Sequence, residues 1–368
     1  MLNLRDSLVA PKDDEKGYLY SCVKKAKSLE SIVIFGLGRG GRNVFQLLTE
    51  HEIINIEAFC DNNQVKQEQR YEDIPIYSPQ ISVNNFPEAT FIISCVDDVS
   101  ARQQLLDLGV SLNRILVFDL TWYSPQIDNS SFIRQHISEF DHVFQWLDED
   151  LSRDVYVNLL NYKLTRDTNY LKKVYDPNET QYFNSLIQSV RGKTFVDVGA
   201  YVGDSLESYI NWCGGSFERV ICFEANKANY MKIIKKINRN QWKNVEAIPL
   251  AITQNKGELL FNSISAGGGY LSDTVGDKVS CDSLDHVLQR EKIDFIKMDI
   301  EGGEYDALLG AQEIILKYHP VIAFCVYHKK DDFYKLPQTV KNMYSGYRFY
   351  FRHYTLTEGE TVCYAIAD

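Results

Sequence analysis

The chain has 368 residues, of which 45% are hydrophobic and 24% charged, and its formal net charge is −11. Because a single hydrophobic core rarely grows beyond ~250 residues, this length predicts two domains. Lysines and arginines are scattered along an acidic chain, which excludes the basic surface that drives nucleic-acid binding. We therefore expect no DNA or RNA substrate.

The longest apolar run of the C-terminal half, residues 321–327, is far shorter than the ~20 residues of a membrane helix. The first residues contain no apolar signal-peptide core, so we expect a cytoplasmic protein without a membrane span. The eight cysteines form no C-x-x-C pair, and several lie in strand-like apolar runs. This pattern is typical of buried thiols in a reducing compartment, and not of disulfides or zinc ligands.

The N-terminal part alternates strands and helices around a glycine-rich turn. The predicted strands are 31–35, 56–60, 90–96 and 114–118, and the predicted helices are 42–50 and 99–108. Gly36 and Gly38 belong to a G-x-G-x-x-G turn, and Asp61 follows the second strand. These three residues form a second candidate nucleotide or substrate site in a compact βαβ domain.

From residue 122 to 190 the pattern becomes helical, with apolar side chains spaced by three or four residues, as at Phe140, Phe144, Leu147 and Leu151. This spacing predicts a helical connector and cover whose aromatic residues are core rather than a cofactor site. Residues 181–183 lie just ahead of the strand that ends near Asp197, close enough in sequence to fold over the mouth of a cofactor site.

The C-terminal part alternates strand and helix again. The predicted strands are 195–198, 220–223, 245–250, 295–298, 321–326, 347–351 and 361–365. Seven strands with interleaved helices predict a sheet that is covered on both faces. The short connector 355–360 predicts that the last two strands pair antiparallel.

The most informative segment is TFVDVGAYVGDS, where a strand runs into Asp197, a small-residue turn with Gly199 and Gly203, and a helix opened by Asp204. The next strand ends in Glu224, the position at which a doubly wound sheet holds a ribose. A pyrophosphate prefers bare backbone N–H groups, whereas a cationic sulfonium with a neutral adenosine prefers carboxylates. The segment favours S-adenosylmethionine over a dinucleotide; the alternative is a turn that binds no ligand.

A second cluster follows the strands at 295–298 and 321–326. Asp299, Glu301 and Glu304 lie on the turn after the first, and His328 follows the second, so neighbouring parallel strands bring His328 and Asp299 to one rim. His328 is a candidate general base. Glu304 has a structural alternative, stabilisation of the following helix N-terminus. A divalent ion held by Asp299, Glu301 and His328 is an alternative to the base, but the residues lack a diagnostic metal spacing.

Taken in order, the motifs VDVGAYVGDS, CFEAN, KMDIEGGEYDALLGA, VYHKKDD and FRHYT resemble the FkbM family of S-adenosylmethionine-dependent O-methyltransferases over roughly residues 150–368. The resemblance implies a methyl transfer to a hydroxyl of a sugar, a glycan precursor or a related secondary metabolite, with a place in polysaccharide biosynthesis. The implied cofactor-binding residues are Asp197, Gly199, Ala200, Tyr201, Gly203, Asp204, Glu224, Ala225, Asn226 and Met298. Asp299, Glu301 and His328 would face the acceptor, and the other substrate-binding candidates are Glu304, Arg352, His353, Gly36, Gly38 and Asp61.

The N-terminal motifs FGLGRGG and CDNN resemble the small Rossmann-like domain in front of sugar O-acyltransferases, which is associated with nucleotide-linked sugars. The two resemblances imply an α/β protein with two Rossmann-like domains, 1–121 and 191–368, joined by the helical connector 122–190. The C-terminal domain would carry the seven-stranded mixed sheet of a class I methyltransferase. The alternatives are an NAD-dependent oxidoreductase that uses the N-terminal glycine turn and a non-catalytic sugar-nucleotide-binding scaffold. The sequence leaves the oligomeric state open, a homo-oligomer included.

Overall fold

The computed structural model describes residues 3–9, 14–95, 98–120, 129–176, 178–263, 269–272, 276–289 and 291–367. Within them the chain forms sheets of six, four and seven strands, with helices packed against them. The last residue of the predicted strand 90–96 and the start of the predicted connector, 122–128, lie outside these ranges. No helix within them is long and apolar enough to cross a membrane.

The N-terminal sheet has the strand order β3-β4-β2-β1-β5-β6. Its strands are β1 (Ile32–Phe35), β2 (Ile56–Cys60), β3 (Arg70–Tyr71), β4 (Ile74–Tyr77), β5 (Thr90–Ile93) and β6 (Ile115–Val117). The helices of this part are α1 (Leu4–Ser7), α2 (Asp14–Ala26), α3 (Arg39–Glu50), α4 (Pro79–Asn85) and α5 (Asp98–Asp107). Every residue of β1 and β5 is buried, as expected for central parallel strands with both faces covered. The four predicted strands are confirmed, and the hairpin β3–β4 is an addition.

The connector forms α6 (Asn129–Gln135), α7 (Ile137–Trp146), α8 (Asp150–Thr165), α9 (Asn169–Lys172) and a 3₁₀ helix at Ser185–Val190. Phe140, Phe144 and Leu147 share one hydrophobic core with the strands of the C-terminal sheet. Leu151 is instead 48% exposed, because the chain leaves the helix at Leu147 and the predicted apolar spacing does not continue into α8. The connector is therefore part of the C-terminal core.

A buried tyrosine fixes the connector to the last helix of the chain. The hydroxyl of Tyr156 lies between two carbonyl acceptors, that of Phe140 in the connector at 3.3 Å and that of Phe333 at 3.4 Å. Pro337, four residues after Phe333, has no N–H to donate to that carbonyl within its helix. Tyr156 thus offers a donor in place of the N–H that the proline lacks.

The first described residues also pack on the connector. Leu4 lies in the same core as the C-terminal sheet, and its backbone N–H donates to Asp141. The N–H of Val9 donates to the side-chain oxygen of Asn161 at 2.9 Å. Residues 3–9 therefore belong with the C-terminal body by their contacts, whereas the sequence analysis assigned them to the N-terminal domain.

The seven-stranded sheet has the order β16-β17-β15-β14-β7-β8-β9. Its strands are β7 (Thr194–Val198), β8 (Arg219–Phe223), β9 (Val245–Ile248), β14 (Phe295–Met298), β15 (Val321–Cys325), β16 (Tyr347–His353) and β17 (Thr361–Ala367). Its helices are α10 (Asp204–Trp212), α11 (Lys227–Asn240), α12 (Leu284–Leu288), α13 (Glu304–Leu309), α14 (Gln312–Tyr318) and α15 (Asp332–Met343). β17 runs antiparallel to both β15 and β16, and the other neighbours are parallel. The predicted mixed seven-stranded sheet is confirmed.

Between β9 and β14 the chain builds a smaller sheet that the sequence analysis did not predict. Its strands are β10 (Ala251–Ile252), β11 (Gly257–Ser263), β12 (Gly269–Ser272) and β13 (Asp277–Asp282), in the order β10-β13-β11-β12. Phe261 of β11 reaches the main cavity of the protein. The insertion therefore contributes to the site.

The topology places a ligand site between β7 and β14. From β7 the chain runs outward through β8 and β9, and it returns to the other side of β7 with β14. In open α/β sheets ligands bind outside the carboxyl ends of the strands at such a switch point. The glycine turn follows β7 and the acidic turn follows β14, so the two predicted motifs meet there.

Candidate active site

A cavity of about 820 Å³ opens at the carboxyl ends of β7, β8, β14 and β15. The turn after β7, the ends of β8 and β14, and the segment after β15 form its floor. Connector residues, Arg39 of the N-terminal domain and Phe261 of the small sheet complete its wall. The volume is in the range of ligand pockets in proteins.

The turn after β7 requires glycine at position 199. Gly199 has φ +84°, and a Cβ built on it would lie 2.0 Å from the carbonyl oxygen of Asp299. No other residue tolerates both the left-handed backbone and that approach. The glycine therefore lets the β7 turn lie directly against the β14 turn.

A buried ion pair lies beneath this turn. Asp197 is fully buried, with Lys297 Nζ 3.0 Å from one carboxylate oxygen and the Ser205 hydroxyl donating to the other. Lys297 also donates to the carbonyl of Gly199 at 2.7 Å. Burial opposes the charged form of Lys297, but Asp197 and Asp299 outweigh it and raise its pKa above the ordinary value. Asp197 does not line the cavity, so it shapes the turn from below.

Glu224, at the end of β8, lines the cavity and is 7% exposed. Its two carboxylate oxygens accept backbone N–H groups from Tyr201 at 2.8 Å and Asn226 at 2.7 Å. Burial raises its pKa to about 7, against the lowering effect of those two hydrogen bonds. The oxygens keep acceptor capacity toward the cavity, as a ribose-binding carboxylate needs.

The predicted cofactor residues fall into two groups. Those that line the cavity are Gly199, Tyr201, Asp204, Glu224 and Ala225. The others lie behind the wall: Asp197, Ala200, Gly203, Asn226 and Met298. Asn226 accepts the N–H groups of Ala228 and Asn229 and thereby caps α11, and Gly203 precedes α10 with φ +77°. These residues therefore stabilise the turns and helix N-termini from which the cavity-lining residues project.

The acidic turn and the end of β15 meet as predicted. His328 Nε2 lies 3.5 Å from Asp299 Oδ1 and 3.7 Å from Glu301 Oε2, while Nδ1 lies 2.9 Å from Glu304 Oε1. The His328 side chain is only 7% exposed, and Glu304 is buried beneath it at the start of α13. Asp299, Glu301 and His328 line the cavity, whereas Glu304 supports the imidazole from behind.

Charges around the imidazole decide its protonation. Burial opposes a charge on His328, but Glu304, Asp299 and Glu301 outweigh it and raise the pKa to about 9. Burial also opposes a charge on Asp299, yet Lys297 and His328 hold its pKa below the ordinary value. Without a bound cation, the cluster therefore contains an imidazolium and an ionised Asp299 at neutral pH.

Two tyrosines and a glutamate that the site prediction did not include surround Asp299. Tyr182 donates to Asp299 Oδ2 at 3.0 Å, and the Tyr327 hydroxyl lies 3.4 Å from both Asp299 Oδ1 and Glu360 Oε1. Tyr182 belongs to the segment 181–183, of which Gln181 and Tyr182 line the cavity and Phe183 is buried in the core. Glu360 arrives from the connector between β16 and β17, where no local pattern indicates a site residue.

Five basic residues also line the cavity; three come from other parts of the chain, and two directly follow His328. They are Arg39, Lys163, Arg166, Lys329 and Lys330. Glu358, also in the wall, pairs with both Lys163 and Arg166. Burial opposes the Glu358 charge, but these two cations outweigh it and lower its pKa to about 2. The wall retains a positive excess that suits a polar or anionic ligand.

None of the residues predicted only for substrate binding lines this cavity: Glu304, Arg352, His353, Gly36, Gly38 and Asp61. Arg352 is held by Glu149 and Glu179 of the connector. The ring of His353 lies 2.9 Å from the Thr361 hydroxyl and is buried. Both side chains join the connector and the hairpin to the sheet.

The N-terminal glycine turn is closed by its own residues. A Cβ on Gly41 would lie 1.8 Å from the carbonyl oxygen of Gly36, so helix α3 starts tightly against β1. Asp61 Oδ2 accepts the N–H of Leu37 at 2.8 Å and pairs with Lys66 Nζ at 2.9 Å. The lysine thus lies where a dinucleotide would present its ribose to that carboxylate.

Comparison with known proteins agrees with the geometry. Residues 197–351 match the family model described as the methyltransferase FkbM domain. This part of the chain is similar to FkbM methyltransferase domains. The match begins at Asp197 and confirms the resemblance seen in the sequence motifs, over a shorter span than the predicted 150–368. Residues 28–116 match the model described as C2185-like, N-terminal. No curated protein matches the chain.

The crystal structure of methyltransferase FkbM from Methylobacillus flagellatus is similar over 95% of this chain and 93% of that one, with 22% identity and a TM-score of 0.67. This likeness shows that the two chains share a fold. Aeropyrum pernix fibrillarin with natively bound S-adenosyl-L-methionine matches over 48% of this chain and 67% of its own, with 13% identity and a TM-score of 0.32. A SAM dependent methyltransferase from Aquifex aeolicus matches over 55% and 99%, with 17% identity and a TM-score of 0.32. The last two likenesses are too remote to support an argument.

Proposed function

We propose that this protein is an S-adenosylmethionine-dependent O-methyltransferase whose acceptor is a hydroxyl of a sugar, a glycan precursor or a related secondary metabolite. The observation that carries the proposal is the single cavity that joins the Gly199 turn and Glu224 to the Asp299, Glu301 and His328 cluster. The match to the FkbM domain model spans both ends of that cavity. The cofactor and acceptor would therefore share one enclosed space.

In this proposal the cofactor lies along the ends of β7 and β8. Glu224 accepts the ribose hydroxyls, Tyr201 and Asp204 flank the methionine end, and Ala225 borders the adenine. Bound S-adenosylmethionine supplies a methyl group that is already activated, so the protein contributes mainly positioning. Carboxylates at Asp204 and Glu224 suit a ligand with a positive charge and no phosphates.

The acceptor hydroxyl would lie at the His328 end. A protonated alcohol is a poor nucleophile, so a group within about 2.6–3.2 Å of it should take its proton. His328 is the first candidate and Asp299 the second. Because the pKa of His328 is raised to about 9, only its minor neutral form can accept a proton at neutral pH. Asp299 is ionised but a weak base, since its pKa is lowered.

We further propose that the N-terminal domain and connector hold the part of the acceptor that is not methylated. Arg39, which lies within the G-x-G-x-x-G motif and begins α3, reaches this cavity, as do Lys163 of α8 and Arg166 at its end. A nucleotide-linked sugar, which the likeness of FGLGRGG to sugar O-acyltransferase domains suggests, would present phosphates to such a wall.

The NAD-dependent oxidoreductase receives less support. The carboxylate of Asp61 already accepts hydrogen bonds from Lys66 Nζ and from the N–H of Leu37 in the turn. Among the described residues, Gly36 and Gly38 do not line the main cavity. The non-catalytic scaffold receives less support because Asp299, Glu301 and His328 line the same cavity as the Gly199 turn and Glu224.

Calorimetry with the full chain separates these functions. We expect S-adenosylmethionine to bind and NAD not to bind, and we expect methylated product with sugar or nucleotide-sugar acceptors by mass spectrometry. Binding of NAD alone would favour the oxidoreductase. Binding of S-adenosylmethionine without transfer to any hydroxyl acceptor would favour the scaffold.

A further inference from the structure

We propose that His328 Nε2, Asp299 Oδ1 and Glu301 Oε2 form a binding site for one divalent transition-metal ion of the Mn²⁺ type, with Glu304 orienting the imidazole. All three ligand residues line the main cavity, so an ion there would face the ligand space. The site lies at the end where the acceptor hydroxyl is proposed to lie.

The distances between the three groups fit ligands of one ion better than hydrogen bonds. Nε2 is 3.5 Å from Asp299 Oδ1 and 3.7 Å from Glu301 Oε2, both beyond the roughly 3.2 Å limit of an N–H···O bond. Ligand atoms about 2.1 Å from a common ion lie roughly 3.0–3.5 Å apart for bond angles between 90° and 110°. The Nε2–Asp299 separation of 3.5 Å is at the upper limit of that range, and the Nε2–Glu301 separation of 3.7 Å exceeds it slightly.

The hydrogen bonding of the His328 imidazole is a second, independent observation in favour of a bound cation. Its side chain is 7% exposed, and neither ring nitrogen makes a well-aligned hydrogen bond among the described residues, although Nδ1 lies 2.9 Å from Glu304 Oε1. A buried ring nitrogen without a partner is costly, and most such groups in proteins are satisfied. Nε2 points between two carboxylates, where a cation would satisfy all three groups.

Glu304 holds the ring in the orientation that a metal ligand needs. Its Oε1 lies 2.9 Å from His328 Nδ1 and also accepts the N–H of Ile300 at 2.9 Å. Metal-binding histidines commonly have a carboxylate beside the second ring nitrogen, which favours one tautomer. Glu304, Asp299 and His328 also offer ligand atoms within 4.8 Å of one another. Because Glu304 is fully buried, we assign it the supporting position and the cavity-lining Glu301 the ligand position.

The backbone supports the same assignment. Glu301 has φ +55° and the following Gly302 has φ +98°. A non-glycine residue in the left-handed region costs of order 1–3 kcal/mol and is usually kept where function requires it. This conformation keeps the Glu301 carboxylate near His328.

Two carboxylates and one imidazole are typical of first-row divalent ions, because imidazole suits Zn²⁺ and Fe²⁺ while carboxylates suit Mn²⁺ and Mg²⁺. An ion with three protein ligands has open positions toward the cavity, where a hydroxyl can bind and become more acidic. Only this last consequence rests on the proposed methyl transfer; the site itself does not.

The test is titration of the metal-depleted full chain with MnCl₂ by calorimetry, without S-adenosylmethionine, and with electron paramagnetic resonance of bound Mn²⁺. We expect one ion per chain. His328→Gln and Asp299→Asn should weaken binding at least about tenfold, and Glu304→Gln about 10–100-fold, as measured for outer-sphere partners. Circular dichroism and S-adenosylmethionine affinity show whether each variant is folded.

The matched control is His286→Gln. His286 Nδ1 lies 2.8 Å from Asp282, but the histidine side chain is 59% exposed and lies outside the cavity wall. Binding should be unchanged in this variant. The proposal is overturned if Mn²⁺ and Zn²⁺ both fail to bind, or if binding survives His328→Gln in a folded variant. Loss of methyl transfer with intact Mn²⁺ binding would count against the proposed function alone.

Discussion

Two glycine turns of this protein share one sequence pattern and differ in what the structure makes of them. In each, a buried strand ends in a turn with a positive-φ glycine, Gly36 or Gly199, and the next strand ends in a carboxylate, Asp61 or Glu224. Asp61 accepts the turn backbone and pairs with Lys66, so its charge is neutralised within the domain. Glu224 accepts only backbone N–H groups in the hydrogen bonds found for it, and it lines the main cavity.

This difference shows that a glycine turn followed by a carboxylate at the end of the next strand can be a purely structural element. The pattern alone does not indicate a binding site. Burial holds the pKa of Glu224 at about 7. At Asp61 burial is outweighed by Lys66 and the backbone donors, which lower the pKa. A carboxylate that is buried without a cation is the one prepared for a ligand. The following predictions test whether ligand chemistry is confined to the Gly199 turn.

The largest effect is expected at the far end of the same cavity. His328→Ala should lower turnover about 10²–10⁴-fold while S-adenosylmethionine affinity barely changes, because the imidazole faces the acceptor end, as base or as metal ligand. Steady-state kinetics and calorimetry measure the two effects separately. His286→Ala is the control. Equal losses in turnover and cofactor affinity would instead indicate that His328 supports the cofactor site.

The second prediction compares the turns directly. Gly199→Ala forces a Cβ to 2.0 Å from the Asp299 carbonyl in a left-handed backbone, so we expect a loss of about 2–3 kcal/mol in the free energy of unfolding and loss of S-adenosylmethionine binding. Gly41→Ala meets the Gly36 carbonyl at 1.8 Å and should be similarly destabilising but retain cofactor binding. Gly38→Ala meets nothing within 4 Å and should be nearly neutral. Cofactor binding lost in Gly41→Ala would contradict the comparison.

The third prediction removes the two carboxylates one at a time. Glu224→Ala should weaken S-adenosylmethionine binding by about 1–3 kcal/mol, because charged hydrogen bonds to the ribose are lost. Asp61→Ala should leave that affinity unchanged and reduce thermal stability, since Lys66 and the Leu37 N–H lose their partner. If Glu224→Ala binds as tightly as the parent, the ribose assignment is wrong.

Much of the fold was predictable because its strands are apolar and its glycine turns are sterically required. The seven main strands were found at nearly correct bounds, since all but the edge strand β9 are largely buried and each is separated from the next by a helix or a turn. The small sheet β10–β13 was missed because its strands are short or interrupted by the glycine-rich stretch after Ser263. Half-exposed strands such as β13 carry little of the hydrophobic signal that identifies a strand.

The floor of the site was predictable, but its wall was not. Asp299 and His328 come together because they end neighbouring parallel strands, a relation that the element order contains. Arg39, Lys163 and Glu360 reach the cavity from three distant segments, and one sequence does not fix how those segments dock. Arg352 was predicted to bind substrate, but it pairs with Glu149 and Glu179 instead. These partners lie about 170–200 residues earlier in the chain, so no local sequence pattern indicates the pairing.

The fourth prediction follows from the pKa of Glu224. Its raised value of about 7 means that the carboxyl is largely protonated at pH 6 and ionised at pH 8. If the ionised form holds the ribose, S-adenosylmethionine affinity should rise about tenfold from pH 6 to pH 8, and Glu224→Gln should lose this dependence. The free energy of unfolding should change in the opposite direction with pH. Because the pKa of Glu224 is raised in the folded state, its protonated form stabilises the fold at low pH, and this contribution is lost as pH rises through about 7. Calorimetry across this range measures the first effect. A flat profile in the parent protein would show that Glu224 binds in either form.

The smallest effect is expected where the N-terminal domain touches the cavity. Arg39 is one of several basic groups in the wall, so Arg39→Ala should raise the KM for a phosphate-bearing acceptor by about tenfold or less, with S-adenosylmethionine affinity unchanged. Removing the whole domain is a less specific test, because residues 3–9 are part of the C-terminal core and would be lost with it. Arg42→Ala is the matched control, since Arg42 lies on the same helix over the Tyr71 ring and outside the cavity wall. An unchanged KM in Arg39→Ala, with each acceptor that the enzyme methylates, would mean that the N-terminal domain takes no part in holding the acceptor through this residue. The two glycine turns would then differ completely, one serving the reaction and the other serving only its own fold.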